Sequence, residues 1–284
     1  MKYDYQTSIK STLSDEWVGT YVSRPIAGLI VRGVYGTRVT PNHLTIASVV
    51  CGLAAAPLYL RGEPLAIACG GLCIFAKDIL DSADGQLARA RSQFSRMGRF
   101  LDSIGDFLVN LLVFFAIGWM LFRSSSDWRF LVLAFLSVLG TSLRVSYHVF
   151  YQTSYLHMQG SYLTNRITEE TTPEDVAKGG TELVLQKIFQ TVYGWQDRLI
   201  LRIDRWCRRD VEDGRLLERW YCDGTGLRLT GLTGLGTELM LLTVCSLANI
   251  LEPYFYLNLF LMNFLSASSV FYRRSLLSRR LEAF

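Results

Sequence analysis

Between positions 81 and 106 the chain reads DSADGQLARARSQFSRMGRFLDSIGD. Asp81, Asp84 and Ala88 recur at i, i+3 and i+7, which places them on one face of a helix, and Asp102 and Asp106 stand one turn apart on the next helix. A short turn between the two helices makes them antiparallel, so the two acidic faces can meet at one depth. Four facing carboxylates repel one another and resist desolvation unless a cation sits among them. All-oxygen ligands select hard divalent ions, Mg²⁺ or Mn²⁺, over zinc. Two such ions about 3.5–4 Å apart would stabilise both the attacking and the leaving oxygen of a displacement at phosphorus. The pattern therefore points to two divalent cations and a phosphoryl-type transfer, the alternative being a solvated acidic and basic hairpin at a membrane edge. Gly85 and Ala88 keep the acidic face free of bulk, so a large ligand can approach the backbone. Arg89, Arg91, Arg96 and Arg99 surround the turn. Arg89, next to Ala88, is the best placed of them to neutralise a diphosphate.

The elements that must carry this cluster are apolar helices. Hydrophobic residues make up 50% of the 284 and charged residues only 19%, the latter below the roughly 25% of soluble domains. A bilayer core of about 30 Å needs roughly 17–25 mostly apolar helical residues. Six stretches approach that length, at 44–60, 64–80, 107–122, 130–150, 227–251 and 254–272. The second and third extend past the hydrocarbon toward Ala90 and Gly98. Six such runs leave too little polar surface to cover them in water. The expected fold is therefore all-α and integral to the membrane: a bundle of six transmembrane helices, with an N-terminal interfacial helix and a helical cytoplasmic insert.

Orientation follows from the cations. With an even number of crossings, the two termini, the turn near Arg91 and the loop 151–226 share one side, and that side holds 23 of the 29 Lys and Arg. It is expected to be cytoplasmic, which also places the acidic cluster and both termini there. Residues before 44 lack the short apolar core and small-residue cleavage site of a removable signal. Within them, 17–34 suits a helix in the membrane interface or one packed on the bundle. The expected organisation is then 1–41 as a cytoplasmic N-terminus with its interfacial helix, 42–150 as the first four crossings with the motif at 81–106, 151–226 as the insert, 227–272 as the last two crossings, and 273–284 as a cytoplasmic tail. In the insert, Pro173 begins a helix running to about Tyr193, and 195–206 forms an amphipathic one.

Other residue classes exclude alternatives. The net charge of +4 is too weak to suggest nucleic acid as a partner. The six cysteines show no zinc or redox spacing, and the three histidines form no metal motif. Arg144 lies inside the fourth apolar helix and is a candidate for binding the phosphate of an acceptor; pairing with Glu238 or snorkelling to the interface would also account for it. Lys77 and Asp78 precede the motif on its first helix and are assigned no catalytic role.

Asp81, Asp84, Gly85, Ala88, Arg89, Gly98, Asp102 and Asp106 fill all eight fixed positions of D-x2-D-G-x2-A-R-x8-G-x3-D-x3-D. At residue frequencies of roughly 5–9%, chance gives this about 10⁻¹⁰ of the time per starting point. The stretch resembles the signature of the CDP-alcohol phosphotransferase family. The resemblance implies that an acceptor hydroxyl attacks the phosphorus of a CDP-linked alcohol and releases CMP, in phospholipid biosynthesis. It implies metal ligation by Asp81, Asp84, Asp102 and Asp106, with Asp106 also the base that deprotonates the acceptor. It places the CDP-alcohol, most readily CDP-diacylglycerol, near Gly85, Arg89 and Ser95, beside Ala88. It adds a Pro-Asn-x-x-Thr element matched by Pro41, Asn42 and Thr45, although helix capping by Asn42 or Thr40 accounts for those residues equally well. A homodimer in membrane lipid is implied as well. The competing class is a non-catalytic or transport protein whose acids bind divalent cations; clustering of the acids at one end of the helices argues against a transport path.

Overall fold

The computed structural model describes residues 3–9, 12–160, 171–209 and 213–281. Positions 161–170 and 210–212 of the expected insert, and 282–284 of the expected tail, lie outside them. Every regular element among the described residues is helical: α1 (Tyr5–Ser8), a π-helical turn Gly19–Ser23 leading into α2 (Arg24–Val34), α3 (Pro41–Arg61), α4 (Pro64–Ala90), α5 (Arg96–Ser125), α6 (Arg129–Met158), α7 (Pro173–Lys178), α8 (Gly180–Arg208), α9 (Gly214–Tyr221), α10 (Gly224–Gly231), α11 (Leu235–Leu247), α12 (Leu251–Tyr256), a π-helical stretch Leu257–Met262 and α13 (Asn263–Leu281). Among the described residues, five stretches are long and apolar enough to cross a bilayer: Pro41–Arg61, Arg96–Ser125, Arg129–Met158, Gly224–Leu247 and Leu251–Leu276. The protein is thus an all-helical integral membrane protein. Helix α4 has 27 residues, ample length for a crossing, but Lys77, Asp78, Asp81 and Asp84 make its second half far more polar than the others.

The helix boundaries near the acidic motif follow from local chemistry. Thr40 caps α3: its hydroxyl accepts from the His43 N–H, and His43 Nδ1 accepts from the Thr40 N–H. Pro41 fills the first turn, where no N–H is needed. Gly62, at φ 75°, ends α3 in the left-handed region that glycine enters without penalty. Ser95 caps α5 by accepting from the Gly98 N–H at 2.8 Å. Between α4 and α5 the chain turns within five residues, which sets the two helices antiparallel.

The chain divides into two compact units. The first comprises Met1–Lys10, Val18–Thr141 and Leu235–Leu259. Its core gathers Tyr59, Ile67, Ile74, Val113, Phe114, Ile117, Leu239, Leu242, Tyr254 and Phe255. Small residues let its helices approach closely, as is usual in lipid, where packing rather than water exclusion drives association. Gly52 of α3 lies against Val109 of α5 and the stem of Lys77 on α4, and Gly105 of α5 lies against Val49 of α3.

The second unit comprises Ser11–Trp17, Ser142–Gly234 and Phe260–Phe284. Its core holds Tyr147, Phe150, Tyr151, Ile200, Cys207, Trp220, Tyr221 and Leu227. At its centre the Asp204 carboxylate, with no solvent exposure, accepts from Tyr151 Oη (3.0 Å), Trp220 Nε1 (3.0 Å), Tyr221 Oη (3.0 Å) and Arg208 Nε (2.7 Å). Arg273 is stacked on Tyr151, its guanidinium carbon 3.6 Å from the ring centroid.

One expectation is corrected here and a second is refined. In the insert, the helix break falls at Gly179 and Gly180, both at positive φ, and not near Tyr193. Pro173–Lys178 is a short separate helix capped by Thr172, while Gly180–Arg208 is continuous through Trp195. The expected crossing at 227–251 is present as the span Gly224–Leu247, with its helix interrupted at 232–234, between α10 and α11. Gly231 there lies so close to the Asp15 carbonyl that a Cβ would come within 2.9 Å of its oxygen.

Candidate metal centre and active site

The α4–α5 hairpin brings three of the four motif aspartates together. Carboxylate oxygens of Asp81, Asp102 and Asp106 all lie within 4.8 Å of one another, close enough for a single ion to be shared among them. Asp102 and Asp106 project from consecutive turns of α5 toward Asp81 on α4, as their spacing predicts. Asp102 Oδ1 is buried and has no hydrogen-bond partner among the described residues. A buried carboxylate oxygen without a donor is costly, and a hard cation would satisfy it. The donor set is all oxygen and fits Mg²⁺ or Mn²⁺.

Asp84 stands outside this triad. It is 9% exposed, and its Oδ2 accepts a short hydrogen bond from the Thr45 hydroxyl of α3, which also donates to the Pro41 carbonyl at 3.2 Å. Thr45 is therefore tied to an acid of the motif. Asn42 lies one turn earlier on α3, with Oδ1 so near Gly98 that a Cβ on that glycine would stand 2.8 Å from it. The Pro-Asn-x-x-Thr element thus borders both helices of the motif. Thr40, not Asn42, provides the helix cap. Ser95 likewise borders the motif, and its hydroxyl is engaged in capping α5.

Around the acids, Gly85 and Arg89 form one feature. Arg89 Nε donates to the Ser8 carbonyl at 2.6 Å, and its Nη1 lies over Gly85, 3.3 Å from where a Cβ would be. The guanidinium is held beside the acidic face by the N-terminal segment. Ala88 sits on the same face, half-buried. Arg91 is spent differently: its terminal nitrogens donate to the carbonyls of Val34, Tyr35, Thr37 and Val39, at 2.6–3.1 Å. It holds the loop that leads into α3.

Lys77 is the residue that sequence reasoning missed. It is 1% exposed, its ammonium is ion-paired to Asp106 Oδ1, and it lies 3.7 Å from Asp81 Oδ1. The signal was present: Lys77 is four residues before Asp81, on the same helix face, and an ionisable residue within a membrane helix is functional by default. Asp78 points the other way and accepts from the Ser23 hydroxyl. Arg144 lies in the second unit, 2% exposed, and its Nη1 donates to Asn263 Oδ1 at 2.7 Å. Glu238, in the first unit, accepts from Tyr254 Oη (2.6 Å) and Asn258 Nδ2 (2.7 Å).

Comparison with known proteins agrees with the geometry. Residues 38–165 match the model of the CDP-alcohol phosphatidyltransferase family. The chain is 34% identical over 101 residues to a bifunctional IPC transferase and DIPP synthase of Thermococcus kodakarensis, covering 36% of this chain and 22% of that protein. It is 30% identical over 146 residues to the protein of the same name in Aquifex aeolicus, covering 51% and 32%. It is 39% identical over 80 residues to an archaetidylinositol phosphate synthase of Pyrococcus horikoshii, covering 28% and 40%. The chain thus spans well under half the length of these relatives. The acidic hairpin and the Thr45 element that borders it both fall inside the matched segment, and over residues 38–165 the chain is similar to the CDP-alcohol phosphatidyltransferase family.

Proposed function

We propose that this protein transfers a substituted phosphate group from a CDP-alcohol to an acceptor hydroxyl and releases CMP. The observation that carries this reading is the convergence of Asp81, Asp102 and Asp106 within 4.8 Å across two antiparallel helices. Two divalent cations, Mg²⁺ or Mn²⁺, held by these residues and Asp84 would supply charge neutralisation and acidify a bound hydroxyl. The side chains divide the remaining work. Asp106 takes the proton of the acceptor. Gly85 leaves room for the nucleotide diphosphate to approach the α4 backbone, with Ala88 on the same face. Arg89 faces that diphosphate as a positive partner in the displacement. Asn42, Thr45 and Ser95 border the nucleotide, Thr45 by fixing Asp84.

CDP-diacylglycerol is the donor we favour. Leu108 and Leu112 on α5, within two turns of Asp106, are exposed apolar residues, which suits entry of a lipid-linked substrate from the bilayer. The name of the Pyrococcus horikoshii relative, archaetidylinositol phosphate synthase, supports a phosphorylated polyol as acceptor. In this reading α4 is a sixth crossing, and the cation-rich ends of the helices, with the acidic cluster and both termini, face the cytoplasm. The test is CMP release by the purified protein from CDP-diacylglycerol and inositol phosphate. Release is expected to require Mg²⁺ or Mn²⁺, and Asp106→Asn should abolish it while CDP-alcohol binding persists. Unchanged release by Asp106→Asn rejects the assignment.

A further inference from the structure

Lys77 reaches the same oxygens that a divalent ion would need. Its ammonium contacts Asp106 Oδ1 and lies 3.7 Å from Asp81 Oδ1. The side chain is buried: Lys77 is 1% exposed. Its stem lies against Gly52, so close that a Cβ there would be 3.1 Å from Lys77 Cγ. Its own carbonyl accepts from the Ser48 hydroxyl at 3.1 Å. The charge is thus locked into the acidic groove by the packing of α3 and α4. A buried ammonium persists only where carboxylates compensate it, and here the compensating groups are two of the three convergent aspartates.

We propose that Lys77 is a built-in counter-cation of the acidic cluster: it holds Asp81 and Asp106 together across the α4–α5 groove without metal, and it weakens divalent-ion binding while leaving the loaded site positive. This inference rests on the reading of the aspartates as metal ligands. With four carboxylates ionised, a pair of divalent ions just neutralises them, and Lys77 adds one net positive charge. Arg89 already offers the diphosphate one positive partner, and the surplus charge on Lys77 adds a second, so the loaded site attracts the anion more strongly than it would without Lys77. The same charge, a few ångströms from the ions, repels them. Lys77 is in this sense a positioning residue that trades metal affinity for anion affinity.

The test is Mn²⁺ titration of the purified full chain in detergent, with free Mn²⁺ followed by electron paramagnetic resonance, for the wild type, Lys77→Gln and Lys77→Arg. Lys77→Gln is expected to bind Mn²⁺ about tenfold more tightly or better, because a like charge has been removed from its neighbourhood. Lys77→Arg, which keeps the charge, should stay close to wild type. In thermal unfolding with chelator, Lys77→Gln should melt below wild type and regain the difference when Mn²⁺ is added. Loss of packing alone would weaken Mn²⁺ binding, so equal or weaker binding by Lys77→Gln overturns the proposal. So does equal tightening by Lys77→Arg. A Lys77→Gln chain that saturating Mn²⁺ cannot fold also overturns it, since a divalent ion then fails to replace the ammonium. Wild-type protein that takes up no Mn²⁺ would overturn the metal-site reading itself.

Discussion

Gly52→Ala probes the point where three helices meet. A Cβ at position 52 on α3 would stand 2.7 Å from Val109 Cγ1 on α5 and 3.1 Å from Lys77 Cγ on α4, where ordinary contact begins at 3.4 Å. Val109 is branched and buried, so it has little freedom to rotate away, and α5 must move by more than half an ångström. The added methyl favours the helix by about 1 kcal/mol, while overpacking costs about 1–3 kcal/mol. The net loss of stability is therefore small, about 2 kcal/mol at most. Function should suffer more. Asp106 lies one turn from Val109, and a misplacement of about 1 Å can cost 10²-fold in rate, so turnover is expected to fall about tenfold or more. The assay is CMP release with parallel Mn²⁺ titration, run as a double-mutant cycle with Val109→Ala. Removing the two Val109 methyl carbons clears the clash, so Gly52→Ala/Val109→Ala should recover turnover relative to Gly52→Ala. Wild-type turnover in Gly52→Ala, or no recovery in the double variant, refutes the claim that this contact positions the acids.

Two further predictions concern the second unit. Asp204→Ala leaves Tyr151, Trp220, Tyr221 and Arg208 without their shared acceptor; the cost should be about 3–5 kcal/mol, as for one partner lost from a buried charged network. It should appear as a lowered melting temperature and protease cleavage within 171–226, and wild-type resistance would contradict the hub. Burial pushes the Asp197 carboxyl on α8 up to about 7, with Arg198 opposing. The folded chain then holds a proton that the unfolded chain releases, so stability falls as pH rises from about 4 to 7 and levels off above. Asp197→Asn should flatten that part of the melting-temperature profile, and an unchanged profile would show that Asp197 is not responsible.

How far the sequence reached depended on whether a feature was local. The i, i+3 spacing of Asp81 and Asp84, the i, i+4 spacing of Asp102 and Asp106, and the short turn between them allowed the two acidic faces to meet, and three of the four acids do. The length and apolarity of the stretches required membrane helices, and of the two caps considered for α3, Asn42 or Thr40, the one formed is Thr40, which involves only near neighbours. The periodicity did not reveal the breaks at Gly179 and Gly180 in the polar insert or at 232–234 in the fifth apolar stretch, because glycine permits a break without requiring one. Tertiary structure alone decided which acid received which partner. Asp84 and Asp81 look alike in sequence, yet the rotation of α3 puts Thr45 on Asp84, while Asp81 joins the triad. Lys77 had a helical spacing compatible with Asp81, but its second partner, Asp106, is 29 residues away. Only the packing of Gly52 against both neighbouring helices brings that carboxylate to the ammonium: a side chain's partners in a bundle are set by helix rotation and depth, and neither is written in the spacing of one helix.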